Sequence, residues 1–239
     1  MNSKSEIDIL ILSYAQTEDL RKVTTHAVQS LMRSENSEQF TFHVVVLESQ
    51  KSLAPFQYED TTTVYPEEEF SFHRYLNIGI KMTSSPYICL CNNDILFQKS
   101  WASQMMVAFD RFKDVKSASP VCPYYPMEIS TQPVGEAWFG YRVGIEVQGA
   151  CLLFKREVLK SIGQLDPNFK FYSADLDYSD TFRVLNFRHM LVRSSIVFHL
   201  GSITLNNQEP DRKYHLTKEQ DLYYKKKWHH RIGKNWVEI

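Results

Sequence analysis

The chain has 239 residues, of which 43% are hydrophobic and 23% charged, with a formal net charge of −1 and four cysteines. This length can bury a full core as one domain or two, and the composition is that of a soluble globular protein rather than a disordered, collagenous or disulfide-stapled one. There is no apolar run of about 18 residues, so no transmembrane helix is expected, and the first residues lack the apolar core of a signal peptide, which points to a cytosolic location.

Ile7-Asp8-Ile9-Leu10-Ile11-Leu12-Ser13-Tyr14 is nearly continuously apolar, as in a central parallel strand covered on both faces. Thr17 followed by Glu18 and Asp19 predicts a capped helix that runs to about Met32. Phe42 to Leu47 predicts a second buried strand ending at Glu48, and Thr61 to Tyr65 a shorter third. A helix over His73 to Met82 carries Asn77 and Gly79. Pro86 to Leu90 is a further apolar strand, and it runs directly into Cys91-Asn92-Asn93-Asp94-Ile95. A buried strand ending in a carboxylate-bearing turn is how an α/β protein presents an acid at the carboxyl edge of its sheet. An ordinary Asn/Asp turn accounts for the same residues. A helix from Trp101 to Phe112 follows.

Residues 116–150 mix short strand-like pieces with Pro120, Pro123, Pro126 and Pro133. Gly149 to Phe154 predicts a strand feeding a helix that Gly163 stops, and Asp175-Leu176-Asp177 opens a helical stretch through Leu185. His189 to Val192 and Ser195 to His199 read as two late strands, and Thr217 with Gln220 as a capping box for a C-terminal helix. Strands alternating with helices at this spacing predict an α/β fold with a Rossmann-like, mostly parallel open sheet flanked by helices. No Gly-x-Gly-x-x-Gly follows the first strand and no Walker lysine loop occurs, so phosphate must be handled by other means. A divalent cation at Asp94 is the economical candidate.

Cys89, Cys91, Cys122 and Cys151 are expected to be reduced, packed thiols, since no second ligand pair joins Cys89 and Cys91 to suggest zinc. The stretch from Arg212 to Lys234 carries a local charge of +6 and the rest of the chain −7. A basic tail on an acidic body suits an anionic partner or the phosphates of a ligand, and equally a solvated helix face.

Taken together, these motifs resemble the family 2 glycosyltransferases of the A-type fold, the inverting, sugar-nucleotide-dependent enzymes. The resemblance runs from Ile7 to about Ser202, in order: Ile-Leu-Ser-Tyr, Glu48, Asn77-x-Gly79, Asn92-Asn93-Asp94, Gly149 to Val158, Gly163-x-Leu165-Asp166, Asp175-x-Asp177 and His199-x-Gly201-Ser202. Asn92 stands where the usual Asp-x-Asp has its first acid, as in rhamnosyltransferase-like members, and Ala174 where relatives carry Glu. The resemblance implies one domain over residues 1–239. Within it, residues 1–115 form the nucleotide-sugar-binding half, 116–205 the acceptor half and 206–239 a basic helical tail.

It further implies that Ser13, Tyr14, Glu48, Arg74, Asn77, Asn93 and Asp94 meet the donor nucleoside diphosphate sugar, and that Asp94 and His199 hold Mn²⁺ or Mg²⁺. Asp175 is implied as the general base, with Asp177 either a rival for that role or, with Trp138, Tyr141 and Gly149, part of the acceptor side. The acceptor is expected to be a glycan or a lipid-linked glycan of surface polysaccharide or lipopolysaccharide synthesis. An alternative is a phage-type DNA glycosyltransferase acting on hydroxymethylated or already glycosylated bases, with Lys225, Lys226, Lys227 and Arg231 on the phosphates. A catalytically degenerate sugar-nucleotide-binding module is the reading from another class.

Overall fold

The computed structural model describes residues 4–123, 137–201 and 210–229. Pro126, Pro133, Ser202, Arg231 and Lys234 lie outside the described residues. The first half alternates β1 (Ser5–Ser13), α1 (Glu18–Met32), β2 (Phe40–Glu48), β3 (Thr62–Val64), α2 (Phe72–Lys81), β4 (Tyr87–Asn92), β5 (Ile95–Phe97) and α3 (Trp101–Arg111). The second half contains β6 (Ser117–Val121), β7 (Ala137–Phe139), β8 (Cys151–Lys155), α4 (Leu159–Ile162), α5 (Ala174–Val184), β9 (His189–His199), α6 (Pro210–Leu216) and α7 (Lys218–Trp228).

One sheet runs in the order β3-β2-β1-β4-β8-β6-β9-β5, with β7 also paired to β9. Strands β3, β2, β1 and β4 are parallel. Strand β8 is antiparallel to both its neighbours, and β6 and β9 are again parallel to each other. The mostly parallel open sheet expected from the strand–helix alternation is therefore present, interrupted by the reversed strand β8 and edged by β5 and β7, both antiparallel to β9.

The apolar run of β1 is buried on both faces because successive side chains alternate. Ile7, Ile9 and Ile11 pack with Val28 and Leu31 of α1 and with Trp101 and Met105 of α3. Leu10 and Leu12 face the other way, onto Leu76 and Ile80 of α2 and Tyr178 and Phe182 of α5. Gly79 allows the close approach of α2, since a Cβ there would lie 2.9 Å from Leu10 Cδ2. Asp8, the buried acid of β1, is neutralised from 148 positions away by Arg156, whose Nη2 lies 2.5 Å from Asp8 Oδ2; Ser85 donates to the same carboxylate. Thr17 caps α1 as its sequence predicts, its Oγ1 accepting from Leu20 N.

Two local expectations are corrected. The two late strands are a single strand, β9, because Arg193 and Ser194 continue an 11-residue extended run. Thr217 and Gln220 form no capping box: Thr217 Oγ1 donates to Lys213 O, and Gln220 Oε1 accepts from Lys170 N. Helix α6 runs almost directly into α7, so a helical carbonyl is within reach of Thr217 and the body of the protein claims Gln220. The basic C-terminal stretch also packs on the body, with Tyr224 and Trp228 buried against Phe169 and Ala174.

All four cysteines are free and buried. His73 and His189 are also buried, and desolvation lowers each to about 4 from the ordinary 6.5. In His189, Nε2–H donates to Glu146 O and Nδ1 accepts from Ser117 Oγ, so both ring nitrogens are satisfied in the neutral form. The unfolded chain takes up these protons near pH 6.5 whereas the native state resists them to about pH 4. Stability should therefore be fully present above pH 6.5 and fall as pH drops toward 4, by up to about 1.4 kcal/mol per pH unit for each histidine. Urea unfolding at pH 7 and pH 5 tests this, and His189→Gln should flatten the difference.

Candidate active site

The site lies where β4 ends. Hydrogen bonding continues past the strand, Asn92 N donating to Ala150 O, so the Asn92-Asn93-Asp94 turn stays attached to the residues just before β8. Strand β5 then pairs antiparallel with the end of β9, placing Ile95 opposite His199. The consequence is a nearly buried pair, Asp94 Oδ1 3.0 Å from His199 Nε2, with Leu200 N donating to Asp94 O. The Asn92 amide nitrogen is 3.2 Å from the same imidazole nitrogen. Asp94 and His199, predicted 105 positions apart in sequence, are thus in contact.

A buried chain of hydrogen bonds runs along the same carboxyl edge. Asn93 Nδ2 donates to Thr24 Oγ1, which lies 2.8 Å from Ser13 Oγ; Ser13 Oγ is 3.1 Å from Tyr58 OH, and Tyr58 OH donates to Glu48 Oε2. Glu48 Oε1 accepts from Ala15 N and Gln50 N. Glu48 is fully buried and both its oxygens are engaged, so it holds the loop after Tyr14 rather than presenting a free acceptor. Tyr14 itself sits under the guanidinium of Arg212, 5.4 Å from the ring centroid. Burial pushes the Tyr58 hydroxyl well above its ordinary pKa, so it remains a neutral link in the network. Thr24 and Tyr58 were not singled out from the sequence; nothing in their local pattern marks a partner 11 or 45 positions away.

Asp175 enters from the start of α5. A Cβ built on Gly149 would lie 2.6 Å from Asp175 Oδ2 and 2.7 Å from its Cβ, so only glycine fits there. Gly149 adjoins Ala150, whose carbonyl holds Asn92, so Asp175 and the Asp94–His199 pair border one strand end. Asp175 Oδ1 accepts from Leu176 N, and among the described residues no cation pairs with the carboxylate. Burial pushes its pKa above the ordinary 3.8. Ser173, just before α5, is left-handed at φ 59°, and its buried hydroxyl has no hydrogen-bond partner among the described residues. Strain and an orphan hydroxyl beside an acid are features concentrated at functional sites.

Other predicted residues are placed elsewhere. Asp177 is clamped by α7: Lys227 Nζ lies 2.6 Å from its Oδ1, and Trp228 Nε1 donates to the same oxygen. Both contacts fall on one oxygen of a carboxylate that is 4% exposed. Asn77 spends its amide on the Leu165 backbone, donating to Leu165 O at 2.8 Å and accepting from Leu165 N at 3.0 Å, so it staples α2 to the second half. Arg74 donates to Glu69 O. Trp138 lies opposite Leu191 on β9 and carries Arg193 over its ring. That is on the order of 25 Å along the strand from His199, at about 3.3 Å per residue. Tyr141 donates to Phe187 O and its carbonyl accepts from Ser179. Both aromatics belong to the opposite part of the sheet because β7 pairs with the beginning of β9. In the basic tail, Lys227 is turned inward onto Asp166 and Asp177, and Lys225 pairs with Asp221.

The donor set fits a divalent cation held in part by its ligand. One carboxylate and one imidazole converge, and no third His, Cys, Asp or Glu joins them among the described residues. Mg²⁺ and Mn²⁺ sites of this kind are completed by substrate phosphates and water.

Replacing Asn77 with Ala leaves the Leu165 N–H and C=O unpaired in the interior, so it should lower the unfolding free energy by about 2 kcal/mol. Urea denaturation with an unchanged slope checks this.

No protein-family model and no curated protein matches the chain. Solved structures do. A crystal structure of S. aureus TarS aligns with 96% of this chain and 76% of its own at a TM-score of 0.61 and 11% identity. A crystal structure of GalNAc-T7 with UDP, GalNAc and Mn²⁺ aligns with 83% of this chain and 44% of its own, at a TM-score of 0.65 and 9% identity. Both neighbours are GT-A type glycosyltransferases, and the fold of this chain is the GT-A fold.

Proposed function

We propose that the protein is a glycosyltransferase that moves a sugar from a nucleoside diphosphate donor to an acceptor hydroxyl with inversion at the anomeric carbon. The observation that carries this reading is the position of Asp175. It is a carboxylate of raised pKa with no cation beside it among the described residues, packed on Gly149, beside a strand end whose turn supplies the Asp94–His199 pair.

In this reading Tyr14 and the loop that Glu48 holds in place border the nucleotide, and Asn93 is fixed by Thr24 at the edge of the donor site. Asp94 and His199 would hold Mn²⁺ or Mg²⁺, which would neutralise charge on the leaving diphosphate. Asp175 Oδ2 accepts the proton of the acceptor hydroxyl as its oxygen forms the new bond to the anomeric carbon, and the bond from that carbon to the diphosphate oxygen breaks on the opposite face. The left-handed turn at Ser173 sets the entry of α5 and so the direction of Asp175.

A uridine diphosphate sugar is the first donor to test, because the GalNAc-T7 neighbour was solved with UDP and Mn²⁺. The acceptor we assign is a glycan or lipid-linked glycan of surface polysaccharide synthesis, met in the cytoplasm or at the membrane face. Among the described residues no helix is long and apolar enough to cross a membrane. The inward turn of Lys227 removes one of the cations that a DNA acceptor would need.

Asp175→Asn should reduce transfer by about 10²- to 10⁴-fold, while donor-dependent thermal stabilisation persists. Asp177→Asn should lower stability and leave turnover of the folded protein nearly intact; the reverse pattern would reassign the base. Activity should rise with pH through a limb displaced above 3.8, because the base works deprotonated and burial raises its pKa. Gly149→Ala should lower turnover as Asp175→Asn does, since its Cβ displaces the carboxylate, and a crystal structure of the variant would show that shift.

A further inference from the structure

Three of the four cysteines meet at one point inside the sheet. Cys91 on β4 and Cys151 on β8 are directly opposed in the antiparallel register, and Cys89 is two residues back on the same face as Cys91. Their sulfurs form a triangle with sides of 3.3, 3.7 and 3.9 Å. None of the three is more than 2% exposed. Among the described residues no histidine, carboxylate or fourth cysteine joins the group.

Those sides match a sulfur triangle around one bound atom. At about 2.3 Å per bond, S–X–S angles from about 90° to 120° place the sulfurs about 3.3–4.0 Å apart. Charge then selects the ion. The triangle lies in the apolar core among Ile11, Ala118 and Leu153, where net charge is costly. Three thiolates carry three negative charges, so a monovalent or divalent ion leaves the complex anionic and a trivalent one leaves it neutral. With no fourth protein ligand, the ion must also accept three-fold coordination.

We propose that Cys89, Cys91 and Cys151 form a binding site for a trivalent thiophilic ion of the arsenic(III) class, held as a neutral trithiolate. Loading by arsenous acid is a condensation: three S–H and three As–OH groups give three As–S bonds and three waters, and arsenic stays trivalent throughout. The site lies directly below the candidate active site, because Cys91 precedes Asn92 and the Ala150 carbonyl that holds Asn92 precedes Cys151. Entry requires transient opening of the β4–β8 pairing, so loading is slow relative to that of an exposed thiol. The inference does not rest on the glycosyltransferase reading.

The test uses the full chain with sodium arsenite, read by native mass spectrometry and thermal unfolding. The expected result is uptake of one arsenic with loss of three hydrogens, and a melting temperature that rises with arsenite, as binding to the native state requires. Cys122→Ser should behave as wild type, and Cys151→Ser should take up no arsenic in this three-hydrogen form. If Cys151→Ser does not fold, Cys91→Ala takes its place, and the hydrogen loss in the wild-type protein still counts the sulfurs engaged. The proposal is overturned by no uptake, by uptake with fewer than three hydrogens lost, by loss of uptake in Cys122→Ser, or by a lowered melting temperature, which signals capture of unfolded thiols. Equal stabilisation by Zn²⁺ would overturn the charge argument.

Discussion

The reversed strand β8, lodged between β4 and β6, is the constraint on which the site depends. Were β4 followed in the sheet by another parallel strand, its end would open onto a crossover helix. Instead the antiparallel register places the Gly149-Ala150 segment beside Asn92, and Gly149 in turn receives Asp175. The same reversal stacks Cys151 against Cys89 and Cys91 one layer deeper. A single pairing thus brings the Asp94 turn, Asp175 and the thiol triangle to one strand end.

Around that point the protein distinguishes acids that hold structure from the one left free. Asp8 is neutralised by Arg156, Asp177 by Lys227, and Asp180 accepts from Tyr224 while pairing with Arg183. These groups are buried with the cations and donors that make burial tolerable. Among the described residues Asp175 has only a backbone amide at one oxygen, and its raised pKa follows from desolvation without a compensating charge there. An unneutralised acid is a poor structural choice and a suitable base.

The C-terminal helix contributes by fixing the back of α5. Trp228, Tyr224 and Lys227 engage Asp177 and Asp180, two and five residues on from Asp175, so the helix carrying Asp175 is anchored to the C-terminal helix. Charge counted along this stretch suggests an anionic partner. The packing shows that part of the charge is consumed internally, on Asp166 and Asp177.

Local sequence was enough for what depends on neighbours along the chain. The two-faced apolar strand β1, the Thr17 cap, the strand leading into Asn92-Asn93-Asp94 and the mostly parallel α/β class all follow from periodicity and capping chemistry. The motif order also marked Asp94, Asp175, Gly149 and His199, which the fold gathers at one strand end. Local pattern carries no record of what lies across the sheet. The sequence does not show that Leu165 takes both ends of the Asn77 amide, or that Lys227 reaches Asp177. Nor does it show that β7 sets Trp138 opposite Leu191, near the start of β9. Thr24 and Tyr58 become part of the site only through contacts that no periodicity encodes. Hydrophobic spacing determined the elements of this protein because each element buries its own face. Long-range hydrogen bonds and charge pairing decided which polar residues remained free for chemistry, and those exist only once the chain has folded.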